Sequence, residues 1–194
     1  MVALALSGIL KKFNELTYLK AGIYQPKMLY ALELSAYSLI AFITPLLLAH
    51  SQLMLGAIVN SMLICGALYT KGKKMLPLIF LPSLGVFANG ILFGPLTIYL
   101  LYMLPFIWAG NAILIYSIKG LHLKKKIGFL KSAAYGSLLK ASFLFASAFS
   151  LYALGVVPGQ FLNIFGAMQF VTAFAAGAVL CPVHCWRTKK AKGR

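Results

Sequence analysis

The feature that most constrains this chain is a succession of long apolar runs separated by short connections. From Met28 onward there are six runs, each near the roughly 20 residues that a helix needs to cross about 30 Å of hydrocarbon. They cover residues 28–48, 51–70, 75–93, 95–118, 127–155 and 159–180. Only 10% of the residues are charged, whereas soluble domains are about a quarter charged. The sequence therefore predicts an all-α fold, a polytopic membrane helix bundle of about six transmembrane helices.

The basic residues fall on alternate connections between these runs. The chain holds 18 Lys and Arg but only two acids, Glu15 and Glu33, for a net charge of +16. The connections around His50, Gly94 and residues 157–160 contain no Lys or Arg. The positive-inside rule places the basic connections in the cytoplasm, which predicts both termini inside. The clusters are Lys11, Lys12, Lys20 and Lys27, then Lys71, Lys73 and Lys74, then Lys119, Lys124, Lys125 and Lys126, and finally Arg187, Lys189, Lys190, Lys192 and Arg194.

The apolar runs divide the chain into three parts. Residues 1–27 carry apolar side chains at helical spacing with charged residues between them, which predicts an amphipathic helix in the inner membrane interface. Residues 28–180 form the predicted six-helix transmembrane domain, and residues 181–194 form a basic cytoplasmic tail. The basic clusters lack the interleaved aromatic residues that stack on bases. We therefore expect the lipid bilayer, and no nucleic acid, as the partner of this basic surface.

Polar residues inside the apolar runs mark the candidate site, because a charge at the centre of a bilayer costs about 3 kcal/mol or more. Lys140 lies deep in the fifth run, about 20 Å along a helix, and should face the bundle interior, a cavity or a bound anion. The neutral residues near the middle of other runs, which could line one substrate-binding site with it, are Asn60, Asn111 and Gln169. The polar residues expected nearer the outer face, where a ligand arriving from outside would first meet polar groups, are Asn89, Asn163 and His50. Of these, Asn89 is the fifth predicted substrate-binding residue. For each residue, hydrogen bonding between helices is the alternative role.

Three further groups have structural interpretations. Glu33 and Lys131 each lie about one turn from the inner end of a helix, so we expect an ion pair between them. Cys181, His184 and Cys185 supply three ligands at most, whereas structural zinc takes four, so no metal and no cofactor is predicted. Small residues crowd the fifth and sixth runs, and we expect these two helices to pack closely at the centre of the bundle.

The sequence favours a protein that is not an enzyme. It contains no phosphate-binding glycine loop, no serine nucleophile elbow, and no group of carboxylate, histidine and serine residues near one interface for lipid chemistry. Two classes of function remain. The first is a transport subunit that binds a small solute inside the bundle, and the second is a non-catalytic structural or assembly subunit of a larger membrane complex.

The chain resembles the substrate-binding S components of energy-coupling factor transporters in its length, its six runs, its predicted topology and the junction at Gly94 and Pro95. Members of that family bind a vitamin or metal ion from outside and associate with a shared transmembrane subunit and two ATPases. The resemblance implies uptake across a prokaryotic cell (inner) membrane, with other membrane subunits and cytoplasmic ATPases as partners and no ATPase in this chain. Lys140 would then favour an anionic solute.

One family pattern is matched only approximately. The first helix of S components often carries small residues four apart for docking to the partner subunit. Here Ala31 and Ser35 fit that spacing, but the bulkier Ile40 follows near Ala36. The resemblance therefore supports the topology more strongly than the docking surface.

Overall fold

A computed structural model describes residues 11–23, 26–48, 51–90 and 94–193 of the chain. The structure is 87% helix, and these residues contain no strand. The predicted positions of His50, Arg194 and residues 1–10 lie outside the described residues. The all-α class predicted from the apolar runs is confirmed.

Eight helices follow one another in the described residues. The helices are α1 (residues 11–18), α2 (Lys27–Leu47), α3 (Gln52–Tyr69), α4 (Leu76–Asn89), α5 (Thr97–Ile118), α6 (Phe129–Ala153), α7 (Gln160–Phe165) and α8 (Ala167–Lys192). Short 3-10 turns at Gly72–Met75 and Gly94–Leu96 precede α4 and α5. A π-helical turn, Lys119–Lys124, extends α5.

Five of these segments are long and apolar enough to cross a membrane, which makes this an integral membrane protein. They are Lys27–Leu47, Gln52–Tyr69, Thr97–Lys124, Phe129–Ala153 and Gln160–Ala191. The remaining predicted span, residues 75–93, contains α4, which is only 14 residues long and so about 21 Å in length. It ends at Gly90, whose φ of +66° is a left-handed conformation that favours glycine. The helix in the third predicted run is therefore shorter than the sequence predicts.

Helices α3, α5, α6 and α8 form the centre of the bundle, since α5 and α8 each pack against both α3 and α6. Helices α2 and α4 pack against each other, α2 also against α3 and α4 also against α5. The contact between α6 and α8 depends on small residues. A Cβ on Gly177 would lie 2.6 Å from the Cβ of Ala133, so the two backbones approach as closely as the prediction from small residues requires.

The Lys and Arg side chains of the described residues, apart from Lys140, lie at or near one end of the bundle, which we call the basic end. There Lys119 donates hydrogen bonds to the backbone carbonyls of Leu19 and Thr70, joining the segment after α1 to the ends of α3 and α5. Lys124 pairs with Glu15 at 3.0 Å, and this ammonium lowers the pKa of the exposed Glu15 carboxyl. Residues 11–23 are therefore anchored to the bundle.

The predicted ion pair of Glu33 with Lys131 is wrong. Glu33 accepts a hydrogen bond from Arg187 at 2.8 Å, while Lys131 is exposed on the first turn of α6. The sequence suggested a helix end near residue 180, but α8 continues to Lys192. That extension brings Arg187 alongside α2, where the carboxylate of Glu33 is within its reach.

Candidate functional site

Lys140 lies near the middle of α6, on the face that packs into the bundle, and its side chain is only 3% exposed. Its Nζ donates to Oδ1 of Asn60 on α3 at 2.6 Å and to Oδ1 of Asn111 on α5 at 2.9 Å. A lysine ammonium has three N–H donors, and these two amide oxygens are its hydrogen-bond acceptors among the described residues. The ammonium form therefore has one donor left for a ligand or a water molecule.

The two asparagines are held in position by their own amide N–H groups. Asn60 Nδ2 donates to Oγ1 of Thr172 on α8 at 3.1 Å, and Asn111 Nδ2 donates to the carbonyl of Ile79 on α4 at 3.0 Å. Since each nitrogen has a partner away from Lys140, each oxygen is directed at the lysine. Four helices besides α6 thus fix the polar centre of the bundle, and this arrangement preorganises Lys140.

A cavity of about 100 Å³ lies beside this centre. Lys140, Asn60 and Asn111 contribute to its wall, and so does Gln169 on α8. Four of the five predicted site residues therefore lie together, as the sequence suggested for residues near the middle of the spans. The fifth, Asn89, is absent from the cavity lining. Its Nδ2 donates instead to the carbonyls of Pro45 and Leu46 at 2.9 and 3.3 Å, where it caps the end of α2.

The cavity extends from Lys140 toward the end of the bundle opposite the basic end, which we call the uncharged end. At the uncharged end, the cavity is lined by Gln52, the first residue of α3, together with Val86, Leu100, Ile164 and Phe165. The side-chain amides of Gln52 and Gln169 make no hydrogen bond to the described residues. The pocket therefore combines an amino group at its floor, apolar walls, and amides that are free to bind a ligand.

The sequence did not indicate Gln52, Ser83 or Thr172. Ser83 lines the cavity and accepts a hydrogen bond from Trp108 Nε1 at 2.7 Å, and Thr172 positions Asn60. Hydroxyl side chains are common in membrane helices, where they bond to the preceding turn as Thr172 does to Met168. These residues differ from others of their type only in lying close to residues on other helices, and the sequence does not show which helices are neighbours.

The basic end holds a second polar group, formed by Tyr69, His122 and His184. The Nε2 atoms of the two histidines lie 3.0 Å apart, and Tyr69 Oη lies 3.0 Å from His184 Nδ1. The carbonyl of Ile127 can only accept, so His122 Nδ1, at 2.8 Å, donates to it. In a neutral pair, His122 Nε2 then accepts from His184, and His184 Nδ1 accepts from Tyr69. The three side chains form one directional chain of hydrogen bonds.

This histidine pair does not extend into a metal centre. In the described part of the chain, no group of three His, Cys, Asp or Glu side chains is placed to hold a metal ion. Cys181 and Cys185 are free thiols, and Cys185 is exposed. The buried His184 thus joins α8 to α3 and to the turn after α5. It does not form a cluster with Cys181 and Cys185.

No protein-family model, curated protein or solved structure matches this chain. The fold and the cavity around Lys140 therefore carry the functional conclusion.

Proposed function

We propose that this protein is a membrane transport subunit that binds a small anionic solute in the cavity beside Lys140, for uptake, without an ATPase of its own. The observation that carries this proposal is the charge balance around Lys140. Its amino group lies in the middle of the membrane domain, where the two protein groups that bind it are neutral amides. A cation at that depth is costly unless an anion accompanies it.

The chain itself cannot supply that anion. It contains no Asp and only two Glu. Glu15 pairs with Lys124 and Glu33 pairs with Arg187, both at the basic end. A negatively charged solute in the cavity would supply the missing charge and accept the third N–H of Lys140. Gln52 and Gln169 would orient its other polar atoms, and the apolar walls would contact its hydrocarbon part.

The positions of the basic residues support the orientation that we propose. The positive-inside rule places the basic end in the cytoplasm, so the cavity lies toward the outer surface, where solute for uptake would enter. In this topology α4 is an additional crossing, the third in chain order, which brings the five candidate spans to six. The 3-10 turn Gly72–Met75 adds about 8 Å to the roughly 21 Å of α4, which brings the segment close to the thickness of the hydrocarbon. Both termini are then cytoplasmic.

The partners of the proposed uptake system are other membrane subunits and cytoplasmic ATPases, as the resemblance to S components of energy-coupling factor transporters implies. Helix α2 is the best candidate for contact with a membrane subunit. Only 17% of its apolar stretch is buried, against 33–50% in the other candidate spans. The same exposure is compatible with the alternative function, a structural or assembly subunit of a larger complex, in which α2 would be an assembly surface and the cavity would hold no solute.

Retention of a small molecule by the purified chain tests the proposal. The wild-type protein and the Lys140→Met variant would be purified alone, matched for thermal stability, and their bound small molecules extracted and identified by mass spectrometry. We expect one class of small anions in the wild-type extract and its loss from the variant. Equal amounts of the same molecules in both extracts, or none in either, would contradict solute binding at Lys140 and favour the assembly function.

A further inference from the structure

The basic end contains a surface that the proposed transport function does not use. It lies where three segments meet: the residues after α1, the first turn of α2, and the connection between α3 and α4. Tyr30 stands at its centre. The Nζ atoms of Lys20 and Lys74 lie 5.7 and 4.9 Å from the centroid of its ring, and the backbone N–H of Lys71 donates to its hydroxyl at 3.3 Å.

The positive charge of this surface is not compensated within the described residues. No carboxylate there forms an ion pair with Lys20, Lys71 or Lys74, because the two acids of the chain pair with Lys124 and Arg187. The ammonium groups are brought together on one aromatic ring, although like charges repel each other. An anion between them would remove that repulsion.

The hydrogen bonding of the Tyr30 hydroxyl also favours an anionic ligand. It accepts the hydrogen bond from Lys71, and its own proton has no acceptor among the described residues. An ammonium and a hydroxyl proton both require an acceptor, and a phosphate group presents acceptor oxygens with negative charge.

The apolar surroundings distinguish a lipid from a free phosphate ion. Leu76 at the start of α4, two residues after Lys74, is 44% exposed, and Leu84, about two turns further along the same helix, is 41% exposed. A tyrosine beside lysines at the end of an apolar span is typical of the membrane interface. Acyl chains along these side chains would place the headgroup at Tyr30.

We propose that Tyr30, Lys20, Lys71 and Lys74 form a binding site for the phosphate of an anionic phospholipid. The lysines neutralise the headgroup, the Tyr30 hydroxyl donates to a phosphate oxygen, and the acyl chains cover the exposed leucines. The lipid would thereby hold together the residues after α1, the start of α2 and the α3–α4 connection.

The test is a lipid titration of the whole protein in detergent, followed by native mass spectrometry. The variant Lys20→Gln with Lys74→Gln removes two charges from the site. The control, Lys125→Gln with Lys131→Gln, removes two exposed charges from the same end of the bundle, away from Tyr30. Tyr30→Phe keeps the ring and removes only the hydroxyl. All variants should melt like the wild type in the absence of added lipid.

We expect phosphatidylglycerol to bind the site variant about tenfold more weakly than the control, and Tyr30→Phe about fivefold more weakly than the wild type. Phosphatidylcholine should bind more weakly than phosphatidylglycerol to the wild type, and inorganic phosphate should not compete with phosphatidylglycerol at equal concentration. Equal losses in the site variant and the control would reduce the effect to diffuse surface attraction and overturn the proposal. Competition by inorganic phosphate alone would overturn the assignment to a lipid.

Discussion

Lys140 on α6 and Asn60 on α3 are 80 residues apart in the chain, yet the lysine Nζ lies 2.6 Å from the asparagine Oδ1 in the centre of the bundle. The asparagine oxygen is held there by the hydrogen bond from its nitrogen to Thr172. A neutral acceptor can take one N–H of an ammonium without cancelling its charge. In its ammonium form, Lys140 is therefore a positive site in the membrane domain, and this site is the basis of the proposed function.

Replacing Asn60 by Asp should weaken binding of an anionic solute, because a carboxylate at this position would provide the missing charge from inside the protein. We expect the affinity for the solute to fall by about tenfold or more and the melting temperature to rise. Binding and thermal unfolding would both be measured on purified protein. Asn163→Asp makes the same chemical change at an exposed position on α7 and should alter neither. An unchanged affinity for the solute in Asn60→Asp would contradict the charge argument.

The two predicted site residues Gln169 and Asn89 should respond differently to substitution by Ala. Gln169 lines the cavity with its amide free, so Gln169→Ala should weaken solute binding by about fivefold, the value of one hydrogen bond. Asn89 caps α2, so Asn89→Ala should lower the stability by about 1 kcal/mol and leave the affinity unchanged. An unchanged affinity in Gln169→Ala, with weaker binding in Asn89→Ala, would contradict solute binding in this cavity.

The ion pair between Glu33 and Arg187 should matter for stability, since both side chains are about one-fifth exposed. Arg187→Met leaves the carboxylate without this partner, and we expect a loss of about 1 to 3 kcal/mol in the free energy of unfolding. The double variant with Glu33→Gln should recover part of that loss. Lys131→Met, at the partner that the sequence suggested, should stay within about 0.5 kcal/mol of the wild type. Denaturant unfolding in detergent measures all three variants.

Gly177 should be intolerant of any side chain. A Cβ there would meet the Ala133 Cβ at 2.6 Å, so Gly177→Ala must push α8 away from α6. We expect a loss of about 1 to 3 kcal/mol in stability. Gly128, which has no neighbouring atom within 4 Å of such a Cβ and an ordinary negative φ, provides the matched control. If Gly128→Ala and Gly177→Ala unfold at the same denaturant concentration, the close contact of these helices is not important for stability.

The sequence predicted the helices well because the membrane imposes a simple rule of length and hydrophobicity. The ranges 51–70 and 127–155 correspond to Gln52–Tyr69 and Phe129–Ala153. Apolar residues after the end of α4 at Asn89 extended the third run beyond the helix, because hydropathy does not show where a helix ends. The same limitation concealed the continuation of α8 to Lys192, where basic residues suggested a tail although the backbone remains helical.

Part of the candidate site could be predicted from the sequence, because polar residues at the same depth in the membrane can lie close together. Lys140, Asn60, Asn111 and Gln169 lie near the middle of their predicted apolar runs, which suggested that they lie at one level and could meet. Asn89 lies near the end of α4, on the side of that helix that faces α2, so its side chain contacts α2. The partner of Glu33 was mistaken for a related reason. Lys131 and Arg187 are both at the basic end, and only the packing of α8 against its neighbours determines which one reaches the carboxylate.

The most direct test of the central proposal is an experimental density map of the protein purified from its native membrane, inspected beside Lys140. The account predicts non-protein density in the cavity, with one atom within hydrogen-bond distance of Lys140 Nζ and the rest directed toward Gln169 and the uncharged end. An empty cavity, or one filled by rearranged side chains with a carboxylate of a partner subunit against Lys140, would contradict the binding of a small anionic solute there.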